Sequence, residues 1–217
     1  MMPSHHLTDE TLQEYASGAL NVSMETLIAC HLTICSSCRQ KANLADAIGG
    51  VSLSDQDAVA MKGCASDVLA MDKSTPVQTQ AFAHTDGLEA GIPRPLARAL
   101  PGPIMELPWK SFGPGMKQYN LGSQPRKEGA FKLLSLDPGL RMSKHSHGHR
   151  ELTFIVSGSY SDDMGHFNAG DIADLSEDHH HSPLVDSDVP CICLIATDAP
   201  VKFDGLFGKI IQPFVGI

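Results

Sequence analysis

Basic residues are scarce in this chain. Its 217 residues carry 16 Lys and Arg against 25 Asp and Glu, a formal charge of −9. Proteins that live on phosphate backbones need clustered Lys and Arg, so direct nucleic-acid binding is excluded. Aromatics make up only 6%, with Trp109 as the single tryptophan. No stretch approaches the roughly 18 consecutive apolar residues that cross a bilayer, which excludes a membrane partner. The opening run Met1 to His6 lacks the basic start and apolar stretch of a signal peptide. No repeat of fixed period is present. A soluble, cytoplasmic chain is the expectation, and 42% hydrophobic residues are enough for real cores. Cysteine is too sparse for a secreted disulfide scaffold. Yet of the six Cys and eleven His all but Cys64 and His84 fall in three places, residues 5–38, 145–181 and 191–193. In a reducing compartment that pattern favours metal.

The sequence predicts an α + β chain. Thr8 is placed to cap a first helix, with Asp9 and Glu10 at the positive end of its dipole and Gly18 as its stop. Ser23 is the next cap candidate, and Leu27, Ile28, His31, Ile34 and Cys35 recur at helical spacing. A third helix is expected from about Cys38 to Gly49-Gly50. A fourth is expected near Asp55 to Met71, with Gly63 interrupting it. The texture then turns polar, and prolines follow at 93, 95, 101, 103 and 108. From about Trp109 short β runs such as 131–136, 151–156 and 191–196 alternate with Gly- and Pro-containing turns, as in an antiparallel sandwich or barrel. The expected division is a small helical domain over 1–72, a partly packed linker over 73–104 that lets two modules tilt, and a β-barrel domain over 105–217.

His31, Cys35 and Cys38 stand at i, i+4 and i+7, one stripe of a helix. Two thiolates and an imidazole make three-quarters of a tetrahedral zinc site, and His5 or His6 lies close by for the fourth place. Such a site has no open position and acts as a structural staple for a thin helical core. A redox dithiol is the competing reading of Cys35 and Cys38; Cys30 and Cys64 read as small core residues. The series His6, His31-x-x-x-Cys35-x-x-Cys38 resembles the zinc-binding anti-sigma domain. In that family four helices grip an extracytoplasmic-function sigma factor. Exposed apolar positions on the first and fourth helices are then the expected sigma contacts.

A second constellation runs Gly139-x5-His145-x-His147-x3-Glu151-x6-Gly158. It fits every position of the first cupin motif. Alternate strand residues point one way, so His145 and His147 are expected to project together into a barrel, with Glu151 beside them. Two imidazoles and a carboxylate suit Zn, Fe, Mn, Cu or Ni. The second cupin motif is worn: of its positions only Gly170 and His181 match. His181 is the expected fourth ligand, with His179 as the rival on the same strand face. His149 and His166 are expected at the rim or surface. Residues 151–201 hold ten acids and no Lys or Arg, which reads as a solvated acidic face. Cys191 and Cys193 are expected on one side of a strand, either as buried small residues or as a reactive pair.

An anti-sigma module followed by a cupin resembles the ChrR family of anti-sigma factors, over nearly the whole chain. The resemblance implies a cytoplasmic inhibitor of an extracytoplasmic-function sigma factor, released when the cupin meets singlet oxygen or related oxidative stress. It implies no catalysis. By position it makes His6, His31, Cys35 and Cys38 structural zinc ligands. It makes His145, His147, Glu151 and His181 the ligands of a cupin metal, zinc or else Fe, Mn or Ni, and it ties Cys191 and Cys193 to signal response. Moving a complex from mostly bound to mostly free takes about 5.5 kcal/mol, which a broken metal site supplies and a surface charge does not. A metal-dependent cupin dioxygenase or isomerase with an accessory zinc domain is the alternative.

Overall fold

The structure is a computed structural model that describes residues 2–57, 91–122, 129–143, 145–146, 150–175, 180–198 and 202–203, the pairs 145–146 and 202–203 by backbone alone. The expected fourth helix, beyond its first three residues, lies outside the described residues. So do Cys64, His147, His149 and His179.

Helix α1 (Asp9–Ser17) begins as predicted, with the Thr8 hydroxyl accepting the Thr11 N–H, and ends at Gly18 with φ 68°. That left-handed conformation is one glycine adopts without Cβ strain. Helix α2 (Val22–Ile34) is capped by Asn21, not by the expected Ser23. Asn21 Oδ1 accepts the Met24 N–H at 2.9 Å, and Asn caps as well as Ser. Helix α3 (Ser36–Ser54) starts earlier than expected and runs through Gly49-Gly50. Both glycines are exposed and neither has a positive φ. Each costs about 1 kcal/mol against alanine, which weakens a helix without ending it. Leu44, Ile48 and Val51 form an exposed apolar stripe along α3. The Pro-rich stretch packs in part: α4 (Arg94–Ala99) buries Leu96 completely, and a 3-10 turn at Ile104–Glu106 follows.

Among the described residues twelve strands follow: β1 (Lys110–Gly113), β2 (Met116–Asn120), β3 (Phe131–Leu136), β4 (His145–Ser146), β5 (Glu151–Ser157), β6 (Ser159–Asp162), β7 (Gly165–Asn168), β8 (Ile172–Leu175), β9 (His180–His181), β10 (Leu184–Val185), β11 (Cys191–Thr197) and β12 (Lys202–Phe203). They form a six-stranded sheet ordered β1-β2-β3-β11-β5-β8 and two three-stranded sheets, β10-β6-β7 and β12-β4-β9. Alternation along the strands separates two cores. Leu134, Ile155, Tyr160, Phe167, Ala173, Cys193 and Ile195 belong to the barrel interior. Leu133, Leu152, Phe154, Val156, Ile172 and Leu194 share a second core with Leu12, Met24, Leu27 and Ile28 of the helices. The central strands β3, β5 and β11 are therefore buried on both faces, and α2 lies against β5 and β11. The expectation of two modules free to tilt gives way to helices docked on the outer face of the six-stranded sheet. Burying a Leu, Ile or Phe contributes roughly 1.5–3 kcal/mol, so this contact holds the halves together strongly.

Candidate metal centres

The break between α2 and α3 builds the first centre. Cys35 leaves the helix at φ −86°, ψ 106° and caps α3 with its own sulfur, 3.4 Å from the Cys38 N–H. The three residues thus meet across a helix junction, not along one unbroken stripe. His31 Nε2 lies 3.3 Å from Cys38 Sγ. His6 Nδ1 lies 3.3 Å from Cys35 Sγ and 3.6 Å from Cys38 Sγ. All four ligand atoms fall within 4.8 Å of one another. Zinc bonds of about 2.05 Å to nitrogen and 2.3 Å to sulfur at tetrahedral angles put N and S about 3.5 Å apart, so the donor set and spacing fit zinc. Among the described residues this is the one His/Cys/Asp/Glu group of that kind.

His31 is fully buried, and its Nδ1 lies 2.9 Å from the Gly170 carbonyl oxygen. A carbonyl only accepts, so Nδ1–H donates and Nε2 keeps its lone pair facing the sulfurs. That tautomer is the one a metal needs. Burial lowers the His31 pKa, countered in part by the Gly170 bond, and the ring stays neutral. Burial also pushes Cys38 up to about 11. Cys30 is pushed up to about 12 by burial, in keeping with its reading as a core residue.

The second candidate centre is described in part. The register sets His145 of β4 directly opposite His181 of β9. Glu151 opens β5, is buried, and accepts a bond from Thr153 Oγ1 at 3.1 Å. It shares the inward face of β5 with Thr153 and Ile155. His181 is buried, and its Nδ1–H donates to Asp162 Oδ2 at 2.9 Å. This orients His181 as the Gly170 carbonyl orients His31. Two imidazoles and a buried carboxylate suit a borderline divalent cation. Burial pushes Asp162 up, but hydrogen bonds from His181 and Met164 N–H outweigh it and hold the carboxyl below its ordinary value.

Cys191 and Cys193 point to one side of β11 with sulfurs 3.6 Å apart, and both are buried in the barrel. The neighbouring Cys191 thiol and burial push Cys193 well above the ordinary thiol value, and Glu151 adds to it. The pair sits together on one strand face, as expected. His166 lies half exposed, bonded to Asp186 at 2.8 Å.

The acid-rich segment is not a solvated face throughout, as its composition predicts. Glu151 and Asp171 are buried, and the Asp162 side chain is 1% exposed. Asp171 Oδ1 accepts the N–H groups of Ser4 at 2.6 Å and His5 at 3.0 Å. Asp174 Oδ2 accepts the Thr8 N–H at 3.1 Å, and Arg150 pairs with Glu14. Acids spaced along strands give no sign of which ones a distant N-terminal segment will cover, so sequence reasoning missed these anchors.

The comparisons agree with this architecture. The family model described as the ChrR Cupin-like domain matches residues 102–200. The anti-sigma-E factor ChrR of Cereibacter sphaeroides is 33% identical over 215 residues, which covers 98% of each chain. A crystal structure of Rhodobacter sphaeroides SigE in complex with the anti-sigma ChrR superposes with a TM-score of 0.74 at 29% identity, covering 91% of this chain and 100% of that one. A likeness of this extent, spanning both the helices with their His/Cys cluster and the barrel, makes the chain a member of the ChrR family of anti-sigma factors.

Proposed function

We propose that the chain binds and inhibits an extracytoplasmic-function sigma factor through its helical unit. The role is regulatory and not enzymatic. The observation that carries this reading is the likeness to an anti-sigma factor over 98% of both chains, which leaves neither the helices nor the barrel as an unrelated appendage. Zinc at His6, His31, Cys35 and Cys38 fixes the junction of α2, α3 and the N-terminal arm. The exposed stripe Leu44, Ile48 and Val51 on α3 offers a partner an apolar helix face. Among the described residues no helix is long and apolar enough to cross a membrane, in keeping with a cytoplasmic inhibitor.

The barrel acts as the sensor in this reading. His145, His147, Glu151 and His181 hold a second metal, zinc before Fe, Mn or Ni, and Cys191 with Cys193 lies within the same interior. The buried Glu151 and the Asp162-oriented His181 support it. When bound, the metal would supply a Lewis-acidic cation; singlet oxygen or a related oxidant that attacks the side chains of the barrel interior disturbs the barrel, and the sigma factor is released. The units are drawn at 1–72, 73–104 and 105–217, the middle stretch connecting two bodies that the shared core locks together. The test is co-purification with a sigma factor encoded nearby, with a metal count of two per chain. Loss of the complex on exposure to singlet oxygen supports the sensor role. A metal-loaded chain with no affinity for such a sigma factor contradicts the inhibitor role.

A further inference from the structure

The zinc cluster is not built by the helical unit alone. Its ligand His6 sits on the arm of residues 3–7 that precedes α1. Leu7 is buried in the core shared with the helices, and the barrel holds the residues before His6. Asp171, at the turn between β7 and β8, is 1% exposed on its side chain. Its Oδ1 accepts the Ser4 and His5 N–H groups, and Ser4 Oγ lies 3.2 Å from Oδ2. The His5 ring stacks on Phe167 of β7 with centroids 3.9 Å apart. It also lies over Gly165, where a Cβ would approach His5 Nε2 to 3.2 Å. One residue before Asp171, the Gly170 carbonyl takes the His31 Nδ1–H. The same hairpin also reaches the other centre, since Asp162 at the end of β6 holds His181.

We propose that the barrel segment 162–171 is a positioning element of the zinc centre: Asp171 and Phe167 fix the arm that carries His6, and Gly170 fixes the tautomer of His31. The physical basis is general. Groups that orient a ligand typically change metal affinity by 10–100-fold when removed. An unanchored arm also has to be ordered each time zinc binds, at a cost in conformational entropy. Zinc is then held by both halves of the chain, and a distortion of the barrel loosens the helical clamp through two residues of backbone. This inference rests on the zinc reading of His6, His31, Cys35 and Cys38 given above.

The experiment uses the full chain loaded with Co2+ in place of zinc. The thiolate-to-cobalt charge-transfer band reports the Cys35/Cys38 centre alone, because the cupin ligand set has no sulfur. The band is followed after addition of excess EDTA. The expected result is release at least tenfold faster in Asp171→Ala and in His5→Ala than in the parent protein. The visible band shape should also change as His6 gives way to water. Asp171→Asn, whose amide oxygen still accepts the two N–H bonds, should recover most of the loss. Asp186→Asn, which bonds only within the barrel to Ser159, Ser161 and His166, should match the parent. Asp171 also accepts the Asn168 N–H, so its alanine variant risks the turn itself; His5→Ala removes only the ring stacked on Phe167, keeps the hydrogen bonds of that turn, and carries the test in that case. Cobalt-loaded, folded His5→Ala with the parent's release rate and band shape overturns the inference alone. A parent protein without a charge-transfer band overturns the zinc reading, and this inference with it.

Discussion

Cys35 has two tasks that one substitution pair can separate. Its sulfur is a candidate ligand atom of the first centre and the N-cap acceptor of α3. Cys35→Ser keeps a capping oxygen and loses the thiolate; Cys35→Ala loses both. In a chelator, urea melts should find the serine variant about 1 kcal/mol more stable than the alanine variant. With zinc present, both should bind it far more weakly than the parent, by equilibrium competition. His31, Cys35 and Cys38 were legible in the sequence because His and Cys at these spacings have few other uses, while the residues alone left His5 and His6 both open for the fourth place. Asp162 and Asp171 were not legible. An acid is exposed by default, and only the folded chain shows which acids meet a His ring or the N–H groups of an arm more than 150 residues away.

At the scale of elements, Phe154 on β5 joins the two halves. Its ring is fully buried in the core shared with the helices, and its centroid lies 6.4 Å from that of His31. Phe154→Ala should cost about 3–5 kcal/mol in chemical denaturation. Far-UV circular dichroism of the helices and Trp109 fluorescence should fall together in that mutant, in one transition. On α3, Leu44→Glu with Ile48→Glu replaces exposed apolar groups. Stability should stay within about 0.5 kcal/mol of the parent, with cobalt binding unchanged and sigma-factor affinity reduced at least tenfold by titration calorimetry. Strand positions were read well from the sequence, since runs such as 131–136 and 191–196 carry clear turn signals. Helix ends were read less well. Asn21 displaced Ser23 as a cap, and Gly49-Gly50 failed to stop α3, because each is a preference of about 1 kcal/mol or less that tertiary contacts override.

For the whole molecule, the contact between arm and barrel has a pH signature. Burial raises the Asp171 pKa, but bonds from the Asn168, His5 and Ser4 N–H groups outweigh it and hold the carboxyl below its ordinary 3.8. His5 Nδ1, 3.6 Å away, is the cationic partner when protonated. A depressed folded value means the stabilisation is complete above 3.8 and is lost as pH falls through the folded value. Denaturation midpoints should therefore change little from this carboxyl between neutrality and about pH 5, then decline in acid; Asp171→Asn should be less stable at neutrality and show a shallower acid decline. The Pro-rich stretch gave no warning that the halves share a core. Alternating Leu and Ile on β5 and β11 reads as a barrel strand whether its outer face meets water or helices, and only the double burial of those strands decides.

The most direct measurement is titration of the metal-loaded full chain with a purified extracytoplasmic-function sigma factor, repeated with Cys35→Ser/Cys38→Ser. The account predicts a one-to-one complex with the parent chain and at least tenfold weaker binding with the double variant. Binding that is equally tight for both, or absent for both, would contradict it.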